Sequence, residues 1–300
     1  RYVAQNFGQL DFPFRRYQVQ KVWRGERPQQ GRFREFIQCD IDVIGNEKLG
    51  LLHDAEMPAV IHGIFSELQV GKFVIRLNNR KIHNGLLAHL GIPLQYEDRS
   101  KDTPATRFTL SLIDRMEKDG LEATTRAFRE VVGATQEQVD ALLAVINFKE
   151  APTETLAWLK GLEHGELFTQ GVAELTEVIG HMRGLGVPEG SFLVDLAMTR
   201  GLDYYTGTVY ETSLVGNEGI GSVCSGGRFD DLASTFIDRK LPGVGISIGL
   251  TRLFTSLQKH GLIKTDESPK STAKVLILQM NPDLLSEYFR LATGLRAAGV

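Results

Sequence analysis

The feature that most constrains this 300-residue chain is a pair of alternating runs joined by a turn. Residues 16–26 alternate, Arg27-Pro28-Gln29-Gln30-Gly31 carries turn chemistry, and residues 34–44 alternate again, which predicts a β-hairpin. In its second strand Ile37, Cys39, Ile41 and Val43 share one face, as a sheet surface packed on a core would. Phe36, Gln38, Asp40 and Asp42 share the other. A polar row behind an apolar one is ordinarily the solvated side of an antiparallel sheet. Against that reading, the first strand ends with Arg24 and Glu26 on one face, so a cation, carboxylates and an amide converge. The planar fork of arginine suits a two-point grip on phosphate or carboxylate.

A second constraint is the loop Arg200-Gly201-Leu202-Asp203-Tyr204-Tyr205-Thr206-Gly207, set between the strand-like runs 192–199 and 208–214. A cation, a carboxylate and two phenols can line a buried site, or can be a solvated arginine beside two half-buried anchors. Further on, Ser222–Ser225 leads into Gly226-Gly227-Arg228-Phe229-Asp230-Asp231, with a helix expected after it. Gly243–Gly249 places glycine at alternate positions and is expected to be a strand entering a helix over 250–260, with Arg252 in the first turn. Such glycines admit either a ligand or a neighbouring backbone. Gly245-Ile246-Ser247-Ile248-Gly249 also spells the G-x-S-x-G of a hydrolase elbow, which needs an acid and then a histidine after the serine. Only His260 follows Ser247, with no Asp or Glu between them. The hydrolase reading fails on order.

The remaining pattern is scaffold. Asp54 is expected to cap a helix that carries Val60, Ile61, Ile64, Phe65 and Leu68 at helical spacing. A strand over 72–77, a turn at Asn78-Asn79-Arg80 and a short helix to Leu90 follow. Residues from about 102 to 184 turn helical, with a capping box at Thr135-Gln136-Glu137-Gln138 and Thr153 as a further cap. After the polar stretch 267–272, a strand over 274–280 and a helix over 284–298 are expected to open a βα unit.

Charge and composition exclude some classes. A net charge of −3 provides no global basic field, so any RNA contact must come from local patches. Two cysteines, Cys39 and Cys224, make neither a disulfide framework nor metal-ligand spacing, which fits buried thiols in a reducing, cytoplasmic setting. No run approaches the roughly 18 apolar residues of a membrane span, and no signal peptide opens the chain. It begins at Arg1, mid-pattern, like a fragment.

Taken in order, these stretches resemble the class II aminoacyl-tRNA synthetases in their histidyl form. Arg24 to Pro28 and Arg32 to Asp40 look like motif 2. Arg200–Gly207 and Ser225–Asp230 are similar to the two histidine-specific motifs, and Gly243–Arg252 resembles motif 3. The resemblance implies an α+β fold, an antiparallel class II sheet flanked by helices with a helical insertion and the start of a C-terminal α/β domain. The expected divisions are 1–100 and 186–268 for the catalytic domain, 101–185 for the insertion and 273–300 for an anticodon-binding domain. It implies ATP and Mg²⁺, L-histidine, tRNA(His), a homodimer in the complete chain, no protein metal centre and no membrane. Catalytic roles fall to Arg200 and Arg24. Arg24 would hold the α-phosphate and the histidine carboxylate, Glu26 would face the adenine and Phe33 would stack on it. Arg32 joins this ATP-binding set, and Arg252 would take the γ-phosphate. Gln38 and Asp42 would meet the α-amino group, Tyr205 the imidazole, and Tyr204, Phe229 and Arg200 complete the histidine-binding set.

Two departures stand out. The second histidine motif usually carries tyrosine where this chain has Phe229. Motif 1 would lie upstream of Arg1, and most of the anticodon-binding domain beyond Val300. Non-catalytic relatives, regulatory or sensing subunits, share the fold but usually lose the first histidine motif, which is complete here.

Overall fold

The computed structural model describes residues 1–25, 27, 33–98, 105–199, 204–234, 236–263, 271 and 273–299. After a short helix α1 (Tyr2–Asn6), the hairpin strands are β1 (Phe14–Trp23) and β2 (Glu35–Ile44). Helix α2 (Leu52–Glu67), strand β3 (Phe73–Asn79) and helix α3 (Arg80–His89) follow. A small two-stranded ribbon, β4 (Gln95–Asp98) and β5 (Ala105–Phe108), precedes a run of helices. These are α4 (Leu110–Asp119), α5 (Leu121–Ala127), α6 (Gln136–Ile146), α7 (Pro152–Lys160) and α8 (Glu166–Gly184). Strands β6 (Phe192–Val194), β7 (Thr208–Leu214), β8 (Cys224–Phe229) and β9 (Gly243–Gly249) lead into α9 (Leu250–Lys259), and α10 (Leu285–Ala297) closes the chain.

The main sheet has seven strands in the order β1-β2-β9-β8-β7-β3-β6. The predicted hairpin register is regular, with Arg16 opposite Asp42, Gln18 opposite Asp40 and Trp23 opposite Glu35. The sheet is mixed rather than purely antiparallel, because β6 runs parallel to β3. A strand that returns after the helices of 110–184 re-enters beside β3 through a crossover, and a crossover yields a parallel pair. β6 itself is three residues long, shorter than the 192–199 run expected, since Asp195 turns the chain: its carboxylate accepts from the Ala197 amide at 3.1 Å. Two further expectations fail. Residues 231–234 and 236 form turns rather than a helix, and residues 274–280 form no strand, having no ladder partner among the described residues.

The core lies on the face of the sheet covered by α2, α3 and α8, where Ile61, Phe65, Ile75, Leu77, Ile82, Leu86 and Phe168 are fully buried. Asp54 does not cap α2. It sits inside the first turn, fully buried, because Arg228 of β8 reaches under the helix to take its carboxylate. Pro58 in the middle of α2 removes an N–H and orphans the carbonyl of Asp54, four residues earlier. The Tyr210 hydroxyl of β7 donates to that carbonyl at 2.7 Å. The defect becomes a tie between helix and sheet. Elsewhere Thr135 and Gln138 complete the predicted capping box, whereas Thr153 lies within α7 behind Pro152 and accepts from Arg183.

Candidate active site

The sheet face away from α2 opens into a cleft of about 930 Å³. Its floor is set by register. Gln38, Asp40 and Asp42 project from β2 opposite Gly249, Ser247 and Gly245 of β9, and Ser225 lies opposite Ser247 from β8. The side chains of Gln38, Asp40 and Asp42 therefore stand over three β9 positions, two of them glycine. The polar row of β2 faces this cleft rather than open water.

Charge is graded along the floor. At one end Asp42 and Asp40 lie beneath Tyr204 and Tyr205, which line the same cleft. Towards the other end stand Phe36 and Arg24, whose guanidinium stacks over the Phe36 ring at 5.1 Å from its centroid. Arg252 lines the cleft from the first turn of α9, just beyond Gly249, and donates to the Ile220 carbonyl at 2.8 Å. Four residues of strand separate Asp42 from Gln38, about 13 Å at the usual rise. The cleft is an elongated slot with an acidic end and a basic end.

The tyrosines are fixed from below. Their rings lie 4.8 Å apart, and Phe229 meets Tyr204 edge-on at 6.2 Å. A Cβ on Gly227 would fall 2.8 Å from Tyr205 Cδ1 and 2.8 Å from the Thr208 carbonyl, so only glycine lets the ring lie flat on β8. Burial pushes both phenols upward, which keeps them protonated donors. Burial likewise raises the Asp42 carboxyl, with Arg16 opposing the shift.

Behind the site, Arg228 is buried at 7 % exposure and holds Asp54 with two hydrogen bonds, Nε to Oδ1 at 3.1 Å and the terminal nitrogen to Oδ2 at 2.8 Å. The same guanidinium reaches the Leu49 carbonyl and Asp230, and Asp230 accepts from Thr206 at 2.7 Å. The Thr206 amide donates to the Arg228 carbonyl at 2.9 Å. The loop carrying the tyrosines is thus tied to α2 through one arginine.

Of the residues singled out in the sequence, Arg24, Phe33, Gln38, Asp42, Tyr204, Tyr205, Phe229 and Arg252 line this one cleft. Glu26, Arg32 and Arg200 lie outside the described residues. Sequence reasoning missed Arg16, Gln18 and Arg228. Their signal was available for the first two, because a hairpin closed at residues 27–31 pairs Arg16 with Asp42 and Gln18 with Asp40. Ser247 sits inside β9, flanked by β2 and β8, and accepts from Gln38, which is no position for a hydrolase nucleophile. Among the described residues no three His, Cys, Asp or Glu side chains gather as metal ligands. Nor is any described helix long and apolar enough to cross a membrane.

The profile of the histidyl-tRNA synthetase family matches residues 1–253. A histidine–tRNA ligase of Nostoc sp. PCC 7120 is 46% identical over 303 residues, covering 100% of this chain and 63% of the ligase. The crystal structure of a histidyl-tRNA synthetase from the same organism superposes with a TM-score of 0.81 at 43% identity, covering 100% of this chain and 66% of that one. A Bacillus halodurans structure described as an ATP phosphoribosyltransferase regulatory subunit/histidyl-tRNA synthetase gives a TM-score of 0.69 at 19% identity, a likeness of fold alone. The chain spans less than two thirds of the length of the relatives it matches first.

Proposed function

The chain belongs to the histidyl-tRNA synthetase family and has its α+β class II fold, and we propose that it carries out histidine activation. The reaction joins L-histidine to ATP as histidyl-adenylate with release of pyrophosphate, then passes the histidyl group to the 3′ end of tRNA(His). The graded slot supports this reading, with Asp40, Asp42 and the two phenols at one end, Arg16 being paired to Asp42 there, and the guanidinium groups of Arg24 and Arg252 towards the other. An amino acid brings an ammonium and a carboxylate, and ATP brings phosphates. Laid end to end they match that gradient.

In this arrangement Asp42 and Gln38 receive the α-ammonium, and Tyr205, with Tyr204 and Phe229, borders the imidazole. Arg24 bridges the histidine carboxylate and the α-phosphate, Phe33 and Glu26 border the adenine, and Arg32 belongs to the same ATP-binding set. Arg252 takes the γ-phosphate, and Arg200, at the head of its motif, offsets charge at the α-phosphate. The substrate carboxylate is already an anion at neutral pH, so no general base is required. One of its oxygens attacks the α-phosphorus in line, and the bond to the bridging oxygen of pyrophosphate breaks. Catalysis is positioning plus neutralisation of charge spread over the phosphoryl oxygens. Mg²⁺ arrives with ATP as part of the substrate.

The same proposal includes a cytoplasmic homodimer, a helical insertion over 101–185, where the described residues hold α4 to α8, and an anticodon-binding unit starting near 273. A non-catalytic regulatory or sensing subunit is the second reading. The complete Arg200–Gly207 motif and 46% identity to a ligase weigh against it. Amino-acid-dependent ATP–pyrophosphate exchange decides between them. Exchange with histidine alone among the amino acids is expected, and histidine binding without exchange would favour the regulatory reading.

A further inference from the structure

Asp42 is held in an asymmetric way. Arg16, from the neighbouring strand β1, donates through Nε to Asp42 Oδ2 at 2.8 Å and sets a terminal nitrogen 2.7 Å from the same oxygen. Its other terminal nitrogen donates to Gln18 Oε1 at 2.9 Å, and Gln18 Nε2 donates to Asp40 Oδ2 at 3.0 Å. Both arginine contacts fall on one carboxylate oxygen. No hydrogen bond from the described residues reaches the other, Oδ1.

That second oxygen has space reserved for it. A Cβ on Gly245, directly across the ladder from Asp42, would collide with Oδ1 and approach the Ile41 carbonyl within 2.6 Å. Glycine at 245 therefore leaves Oδ1 its position over β9, on the cleft side. Arg16 itself is about one third exposed and lines the cleft.

Resting on the synthetase reading above, we propose that Arg16 is the positioning residue of the ammonium subsite. It pins Oδ2, with Gln18 as its brace to Asp40, so that Oδ1 is presented to the α-ammonium of the amino acid. Arg16 touches no reacting atom in this scheme. Its charge also favours the carboxylate form of Asp42 against burial and against Asp40. Tyr204 and Tyr205 are the other titratable groups facing Asp42 among the described residues.

The test is steady-state ATP–pyrophosphate exchange in the complete natural polypeptide, with Arg16→Met, Arg16→Lys and Asp42→Asn and the combination of Arg16→Met with Asp42→Asn. Arg16→Met is expected to raise the KM for histidine by about tenfold or more, as loss of a charge-assisted contact does. The KM for ATP and kcat should stay near wild type. Its acid limb for kcat/KM of histidine should move to higher pH, and Arg16→Lys should recover part of both effects. In the Asp42→Asn background, Arg16→Met should add nothing. An unchanged KM for histidine in Arg16→Met, or full additivity with Asp42→Asn, overturns the proposal while leaving the synthetase reading intact. So does a parallel fall in kcat and in ATP affinity, which would mark a fold defect. Wild-type protein without histidine-dependent exchange overturns both.

Discussion

Removing Arg228 while leaving Asp54 tests the tie behind the site. Asp54 is fully buried and Arg228 is 7 % exposed, so neither charge is rescued by water. Arg228→Leu leaves a buried carboxylate facing an apolar side chain, and breaking a buried pair in this way costs about 3–5 kcal/mol. That is a large part of the roughly 5–15 kcal/mol that holds a domain together. The cost should depend on pH in a definite direction. Burial raises the Asp54 carboxyl, and losing its cation raises it further. A carboxyl raised in the fold binds a proton more readily there than in the unfolded chain, so the loss grows as pH rises above about 4 and levels off above the folded value. Replacing both partners, Asp54→Leu with Arg228→Leu, should restore most of the stability, because well-packed apolar pairs substitute for buried ion pairs at little cost. Urea unfolding followed by circular dichroism at about pH 5 and pH 8 gives all the values needed. A loss below about 1 kcal/mol for Arg228→Leu, or a double variant as unstable as the sum of the singles, would refute the coupling.

Other consequences follow from the same geometry. Tyr210→Phe orphans the Asp54 carbonyl that Pro58 left without a helical donor, and should cost about 1–3 kcal/mol by thermal melting; no change would mean another group takes that carbonyl. His83 is fully buried, donates from Nε2 to the Leu196 carbonyl at 2.8 Å, and is lowered to about 4 by burial. The unfolded chain then binds a proton that the fold excludes, so stability falls as pH drops from about 6.5 towards 4, by about 2 kcal/mol between pH 8 and pH 5. An imidazole titrating near 6.5 by NMR would contradict this. Gly227→Ala must displace Tyr205, so histidine-dependent activity should fall by about fivefold to a hundredfold, the range that roughly 1–3 kcal/mol of overpacking implies, and unchanged kinetics would remove Tyr205 from the subsite. Histidine affinity should weaken as pH falls through the raised pKa of Asp42, above the 3.8 of an unperturbed side chain, and calorimetry showing no such limb would argue against an ammonium contact there.

The parts of the fold that rest on short-range pattern were legible in the sequence. Strands β2, β7 and β9 alternate or space their glycines as strands do, and Thr135 with Gln138 announces its own cap. The misses arise where a distant partner outcompetes the local signal. Asp54 has the chemistry of an N-cap, but a buried arginine 174 residues away claims its carboxylate. Residues 274–280 form an apolar run that suits a strand, yet a strand exists only through its neighbour, and none of the described residues provides one. The site was half legible for the same reason. The polar row of β2 could be read as a wet face or as a cleft floor, and only the β9 glycines set across from it decide. Arg16 looked like one charge in an alternating run until the hairpin register put it beside Asp42.

Histidyl-adenylate should fill the slot in one direction only, which a crystal structure of the complete polypeptide with a non-hydrolysable histidyl-adenylate analogue would show. The predicted arrangement has the α-ammonium within hydrogen-bonding distance of Asp42 Oδ1, the imidazole bordering Tyr205, and the phosphate-mimicking group at Arg24. An analogue lying in the opposite sense, with its adenosine at Asp42, or bound outside the cleft, would contradict this direction of binding.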